Sequence, residues 1–106
     1  MAWVFLAIAI ASEVFATIML KVSDGFSKLL PALAVVVGYS FSFFMLALAL
    51  KTIGLSTAYA IWAGIGTVGA VLAGVFIFGE NLPVLAMIGI ALVVTGVVLL
   101  NLAVPH

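Results

Sequence analysis

The sequence has few charged residues and no cysteine. Charged residues make up 6% of the 106 residues, and the formal net charge is zero. A soluble domain carries about 25% charged residues, so this chain has too few to cover a surface in water. The balanced charge argues against nucleic acid as a partner. Without cysteine there are no disulfides and no thiolate metal sites. We expect no metal and no cofactor, and we interpret the single histidine, His106, as a frayed end.

Hydrophobic residues make up 69% of the chain and form four blocks separated by short polar breaks. The blocks cover approximately residues 2–20, 29–50, 57–78 and 84–104. Each is close to the roughly 20 residues that a helix needs to cross a bilayer. The breaks read KVSDGFSK, KTIGLS and GENLP, which are rich in residues that end helices. The sequence therefore predicts an all-α integral membrane protein, with residues 1–106 forming a single four-helix transmembrane domain in the lipid bilayer.

One charged residue, Glu13, lies inside a block rather than in a break. The other five charged residues lie in the breaks, at the expected membrane surface: Lys21, Asp24, Lys28, Lys51 and Glu80. The rise of a helix places Glu13 near the bilayer midplane. An acidic residue there costs about 2.5–3.5 kcal/mol, and such residues usually mark ion or substrate pathways. Because Glu13 also interrupts the apolar run, we interpret the first block as a retained helix rather than a signal peptide.

The lysines give almost no preference for one orientation in the membrane. The first and third breaks share one side and carry two lysines, whereas Lys51 and the terminal amine lie on the other. Orientation follows the Lys/Arg bias between the two sides, so we expect insertion in both directions. Two oppositely oriented copies would form an antiparallel homodimer and bring two Glu13 side chains together. Whether a paralogue replaces the second copy stays open.

Aromatic side chains are candidates for binding a cation beside Glu13. On the second block the spacing i, i+3, i+4, i+7 places four residues on one face: Tyr39, Ser42, Phe43 and Leu46. On the third block Tyr59 and Trp62 are one turn apart. A desolvated cation over a Trp ring gains about 2 kcal/mol, which favours a bulky, weakly hydrated cation. Alternatively, Tyr59 anchors its helix at the membrane interface, as we expect for Trp3.

Glycines suggest where helices bend and where they meet. Gly64 and Gly66 lie mid-way along the third block, and closely spaced glycines are common kink positions. Gly89 and Gly96 are seven residues apart on the fourth block, which has no ionisable residue between them. Because small residues let membrane helices approach closely, we interpret the fourth block as a packing or dimerisation helix.

The motifs ASEVFAT, SDGF, TAYAIWAGIGT and GENL resemble those of the small multidrug resistance transporters, over essentially the full length. The resemblance implies an antiparallel homodimer in the bacterial cytoplasmic membrane that exchanges protons for cations by alternating access, and not an enzyme. Glu13 would be the shared proton and substrate site. The resemblance implies four aromatic residues around it, which are Tyr39, Phe43, Tyr59 and Trp62. From their positions in the sequence we add Thr17 and Ser42 to this site. The hinge would be Gly64 and Gly66, and the dimer seam Gly89 to Gly96.

Two branches of this family differ in substrate. The guanidinium branch carries a Trp three residues after the Glu and a Lys near the end of helix four, where this sequence has Ala16 and Asn101. Tyr39 is similar to the multidrug branch, and Ala16 and Thr17 suggest a roomier site. We therefore expect export of hydrophobic quaternary ammonium cations. The alternatives are a guanidinium exporter, a lipid or lipid-linked flippase subunit, and a non-transport intramembrane assembly protein.

Overall fold

The computed structural model describes residues 1–103, which form four α-helices and no strand. The helices are α1 (Ala2–Val22), α2 (Leu29–Leu50), α3 (Leu55–Phe76) and α4 (Val84–Ala103). All four are long and apolar enough to cross a membrane. The predicted all-α membrane fold with four spanning helices is confirmed. The predicted end of the fourth helix at Val104 and the interpretation of His106 lie outside the described residues.

The backbone at the glycines decides where α3 begins and ends. Gly54 is extended, with φ −61° and ψ 149°, and α3 begins at the next residue, two residues earlier than predicted. At the other end the N–H of Phe78 reaches the Ala73 carbonyl, and Gly79 follows with φ +69°. The backbone turn therefore ends the helix at Phe76, two residues earlier than predicted. The prediction was too long because the apolar run in the sequence continues past this turn.

The turn between α1 and α2 is held by Ser23, which is buried. The Ser23 hydroxyl donates to the Leu20 carbonyl at 2.7 Å and accepts the N–H of Phe26 at 3.1 Å. Asp24, Gly25 and Phe26 all have positive φ, a conformation that bulky residues rarely adopt. This tight left-handed turn brings the chain directly back into α2.

Helices α1 and α2 pack through small side chains. Ala9 and Ala16 on α1 are fully buried, as is Ser42 on α2. The Ser42 hydroxyl donates to the Ala9 carbonyl at 2.6 Å. A Cβ at Gly38 would lie only 2.9 Å from the Ala16 Cβ. Small residues allow two membrane helices to approach closely, so α1 and α2 form the tightest part of the molecule.

The remaining helices are more exposed. Helix α3 packs across α1, whereas within the described part of the chain α4 packs on α3 alone and has no buried residue. The described residues form a slab of 43 × 35 × 17 Å. Such a thin slab leaves broad apolar faces of α2, α3 and α4 for lipid or a second subunit.

Replacing Gly38 with Val should destabilise the protein by about 1–3 kcal/mol, because the added methyl groups have no room against Ala16. The matched control is Ala47→Val on the exposed face of the same helix. Thermal unfolding in detergent, followed by size-exclusion chromatography after heating, should show a lower Tm for Gly38→Val alone. Equal Tm values for the two variants would contradict this packing.

Candidate functional site

Glu13 lies in the middle of α1 and faces α3. It is the twelfth of 21 helical residues, about 16 Å along the axis from the start of the helix. Since the hydrocarbon core is about 30 Å thick, this position is close to the midplane. The side chain is partly buried. The carboxylate is therefore held at depth, where water is scarce.

One carboxylate oxygen of Glu13 accepts a hydrogen bond from Thr17, whose hydroxyl also contacts that of Tyr39. Thr17, one turn further along α1, donates to the Glu13 carbonyl at 2.9 Å and lies 3.3 Å from Glu13 Oε1. The Tyr39 hydroxyl of α2 is 2.6 Å from the Thr17 oxygen. When the Tyr39 hydroxyl donates its proton to the Thr17 oxygen, the one hydroxyl proton of Thr17 is free to be donated to Glu13. The hydroxyl pair thus connects α2 to the carboxylate.

The other oxygen, Oε2, is buried and has no hydrogen-bond partner among residues 1–103. It lies against the backbone of α3, where a Cβ at Gly66 would be only 2.8 Å away. Gly66 therefore admits the carboxylate to the surface of α3. This role was not foreseen from the sequence, which suggested a hinge at Gly66.

A cavity of about 290 Å³ opens beside this free oxygen. It is lined by Glu13, Tyr59, Trp62, Ala63, Gly66, Thr67 and Ala70. The indole N–H of Trp62 is buried and, within the described residues, also lacks a hydrogen-bond partner. A buried polar group without a partner costs free energy. Two residues that line this cavity therefore carry unpaired polar atoms, an acceptor on Glu13 and a donor on Trp62.

The predicted aromatic residues form a continuous row beside the carboxylate. Tyr59 and Phe43 each place their ring centroid 5.6 Å from that of Trp62. Tyr39 stacks on Phe43 with a centroid distance of 6.4 Å. The row runs from α2 to α3. It thus brings together the four aromatic residues that the sequence placed around the site.

Other predicted residues lie elsewhere. Ser42 is buried between α1 and α2 and its hydroxyl is used by Ala9. Gly64 faces α4, where an added Cβ would collide with Val97. Nothing lies within 4 Å of a Cβ built at Gly89 or at Gly96. The hinge and the dimer seam stay predictions.

Ala16 does not enlarge the cavity directly, although its small size suggested a roomier site. It is fully buried and faces Gly38 of α2. Thr17 and Tyr39 are the next residues along the two helices, and their hydroxyls are 2.6 Å apart. The close Ala16–Gly38 contact therefore sets the distance at which Tyr39 reaches Thr17.

Thr67, Ala63 and Ala70 also line the cavity, and sequence reasoning did not find them. Thr67 donates its hydroxyl to the Ala63 carbonyl at 2.7 Å. Ala63 lies four residues after Tyr59, and Thr67 and Ala70 follow at intervals of four and three residues, which places them on one helix face. That spacing was the signal available in the sequence, once Tyr59 was placed in the site.

A larger groove of about 590 Å³ runs along the outer face of α1 and α2. Its walls are mostly apolar side chains such as Phe15, Val37 and Phe41, with Ser12 as a polar exception. No ionisable side chain lines it, and apolar grooves of this kind are expected on a surface that meets lipid. The chemistry of the molecule is concentrated in the smaller cavity at Glu13.

Comparison with known proteins places the chain in one family. The family model described as Small Multidrug Resistance protein matches residues 1–93. The chain is 52% identical over 99 residues to multidrug resistance protein EbrA of Bacillus subtilis (strain 168), covering 93% of this chain and 94% of the relative. It is 50% identical over 101 residues to quaternary ammonium compound-resistance protein QacF of Klebsiella aerogenes, covering 94% and 91%.

A third relative is quaternary ammonium compound-resistance protein QacE of Escherichia coli, 45% identical over 100 residues, with 94% of this chain and 91% of the relative covered. These matches extend over all four apolar helices. The chain belongs to the Small Multidrug Resistance family of transporters and is a multi-pass protein of the bacterial cytoplasmic membrane, not an enzyme.

Proposed function

We propose that this protein is a proton-coupled antiporter that exports hydrophobic, quaternary ammonium cations. The observation that carries the proposal is the Glu13 Oε2 atom, which is buried at mid-membrane depth beside an aromatic cavity and has no partner in residues 1–103. An ionisable group in the membrane interior is expensive and usually marks an ion or substrate pathway.

A carboxylate at this depth needs a counter-charge. The medium is of low dielectric constant, so an uncompensated negative charge is strongly disfavoured. Either a proton on Glu13 or a cation in the adjoining cavity removes the penalty. Both act at the same carboxylate, so binding of one excludes the other. This exclusion is the basis for exchanging protons against cations.

The surroundings of Glu13 favour an organic cation over a metal ion. A metal ion needs several oxygen or nitrogen ligands, and no group of three His, Asp or Glu side chains is present in the described part of the chain. The cavity instead has the rings of Tyr59 and Trp62 in its wall. A desolvated cation–π contact is worth about 2 kcal/mol, so weakly hydrated cations with apolar groups fit best.

The choice of quaternary ammonium over guanidinium rests on two further observations. Relatives that cover nearly the whole chain are named for resistance to quaternary ammonium compounds. In addition, a bulky residue in place of Ala16 would separate α1 from α2 at Gly38. That separation would remove the contact between Thr17 and Tyr39. The Thr17–Tyr39 contact in this chain therefore requires a small residue at position 16, rather than the Trp of the guanidinium branch.

Transport requires a second copy of the chain. One slab only 17 Å thick leaves Tyr59 and Phe43 more than half exposed. An oppositely oriented copy, packed through the exposed α4 around Gly89 and Gly96, would enclose the aromatic rows and add a second Glu13. With neither protons nor cation bound, exchange between inward- and outward-facing states would bury bare charge. Loading removes that penalty, so inward proton flow drives outward cation flow.

Replacing Glu13 with Gln should abolish proton-driven cation transport, because the amide neither ionises nor releases a proton. The assay is pH-gradient-driven uptake of radiolabelled tetraphenylphosphonium into proteoliposomes. Asp24→Asn, which removes an exposed loop carboxylate, is the matched control and should transport normally. Both variants should elute as the same oligomer as the unmodified protein. Gradient-driven uptake by Glu13→Gln would refute the mechanism.

Replacing Trp62 with Leu should raise the Kd for tetraphenylphosphonium about 30-fold, which corresponds to a loss of about 2 kcal/mol of cation–π energy. Trp3→Leu, at the start of α1 and outside the cavity lining, should leave the Kd within about twofold. Isothermal titration calorimetry in detergent measures both. An unchanged Kd in Trp62→Leu, or tighter binding of guanidinium than of tetraphenylphosphonium, would contradict the proposed substrate class.

A further inference from the structure

A second cavity lies next to the Glu13 cavity, toward the end of the molecule where α1 and α3 finish. It has a volume of about 100 Å³ and is lined by Thr17, Ile18, Lys21, Ala70, Ala73, Gly74, Phe78 and Glu80. Thr17 is the residue whose hydroxyl lies 3.3 Å from Glu13 Oε1. Ala70 lines both cavities. The two spaces therefore adjoin and lead from Glu13 to the membrane surface.

Glu80 is turned back onto the end of α3. Gly79, with φ +69°, reverses the chain, and the Glu80 N–H donates to the Gly74 carbonyl at 2.9 Å. A Cβ at Gly74 would lie 2.5 Å from Glu80 Oε1 and 2.9 Å from its Cδ. The carboxylate thus occupies space that exists because residue 74 has no side chain.

The Glu80 N–H bonds to the last turn of α3, but the Glu80 carboxylate does not stabilise the end of this helix. The carboxyl end of a helix carries a partial negative charge, so a carboxylate there is unfavourable by about 0.3–1 kcal/mol. Lys21, in the last turn of α1, lines the same cavity. Its Nζ lies 5.3 Å from the centroid of the Phe78 ring. An acidic and a basic side chain thus line the outer end of the cavity.

The size of this cavity separates protons from organic cations. At about 100 Å³ it has about a third of the volume of the 290 Å³ aromatic cavity. This is room for a few water molecules but not for a cation with several apolar groups. The aromatic cavity and the smaller cavity therefore offer different routes to the same carboxylate.

Resting on the proposed function, we propose that Glu80 is a proton-transfer residue, through which Glu13 exchanges its proton with water outside the membrane. When a cation binds, the Glu13 carboxyl gives its proton to water beside Thr17. Water in the small cavity passes a proton to the Glu80 carboxylate, and Glu80 releases it to bulk water. Loading of Glu13 with a proton follows the reverse order.

The test is the rate of proton release after mixing the full-length protein in detergent with saturating tetraphenylphosphonium, followed by stopped flow with a pH-indicator dye. Glu80→Gln should slow release about tenfold or more, as expected for loss of a positioned proton carrier. The number of protons released and the Kd for tetraphenylphosphonium should not change. Glu80→Asp should restore part of the rate.

Two further variants keep the test decisive. Gly74→Ala retains Glu80 but displaces its carboxylate, and it should also slow release. Asp24→Asn, an acidic loop residue outside the cavity lining, should release protons at the rate of the unmodified protein. Release at that rate in Glu80→Gln, or equal slowing in Asp24→Asn, would overturn the role of Glu80 alone. No release from the unmodified protein would overturn the proposed function as well.

Discussion

A carboxylate lies in the middle of a membrane-spanning helix, and one of its oxygens has no hydrogen-bond partner among residues 1–103. Glu13 Oε2 can lie against α3 because Gly66 has no side chain. The other oxygen is positioned by Thr17, which in turn contacts Tyr39. That contact needs α1 and α2 to be as close as Ala16 and Gly38 allow. Gly66, Ala16 and Gly38 therefore each help to position the carboxylate.

The four helices contribute differently to the site around Glu13. Helices α1 and α2 form a tight pair whose buried small residues fix the carboxylate and its hydroxyl partners. Helix α3 contributes the indole of Trp62, the glycine against Glu13 and, at its end, the surface that holds Glu80. Helix α4 contributes no buried residue in the described range. A tightly packed pair that holds the carboxylate, with a more exposed helix beside it, suits the alternating access of the antiporter that we propose.

Much of the fold followed from the sequence, because apolar runs of the right length have few alternatives in a membrane. The sequence also predicted a site at Glu13, from the high free-energy cost of a charge at that depth. The aromatic residues were found from their helical spacing. The boundaries of α3 were each two residues off, since the φ and ψ angles of Gly54 and the residues around Gly79 are not visible in a hydrophobic pattern.

The contacts between helices could not be predicted from one sequence. Gly66 was interpreted as a hinge, which stays a prediction, and its contact with the Glu13 carboxylate was not expected. Ser42 shares the spacing of the aromatic residues, yet its hydroxyl is bonded to Ala9 on the side where α1 packs. Glu80 was assigned to the membrane surface, and the turn at Gly79 directs it back onto α3. In each case the partner belongs to another helix or lies beyond a reversal of the chain.

Counting protons directly tests whether a proton and an organic cation share Glu13, as we propose. The measurement is the number of protons released at equilibrium per tetraphenylphosphonium bound, across pH, in detergent-solubilised protein and in Glu13→Gln. Shared binding predicts release in the pH range where Glu13 is protonated before binding, and no release from Glu13→Gln. The absence of release at every pH, or equal release from the variant, would contradict it.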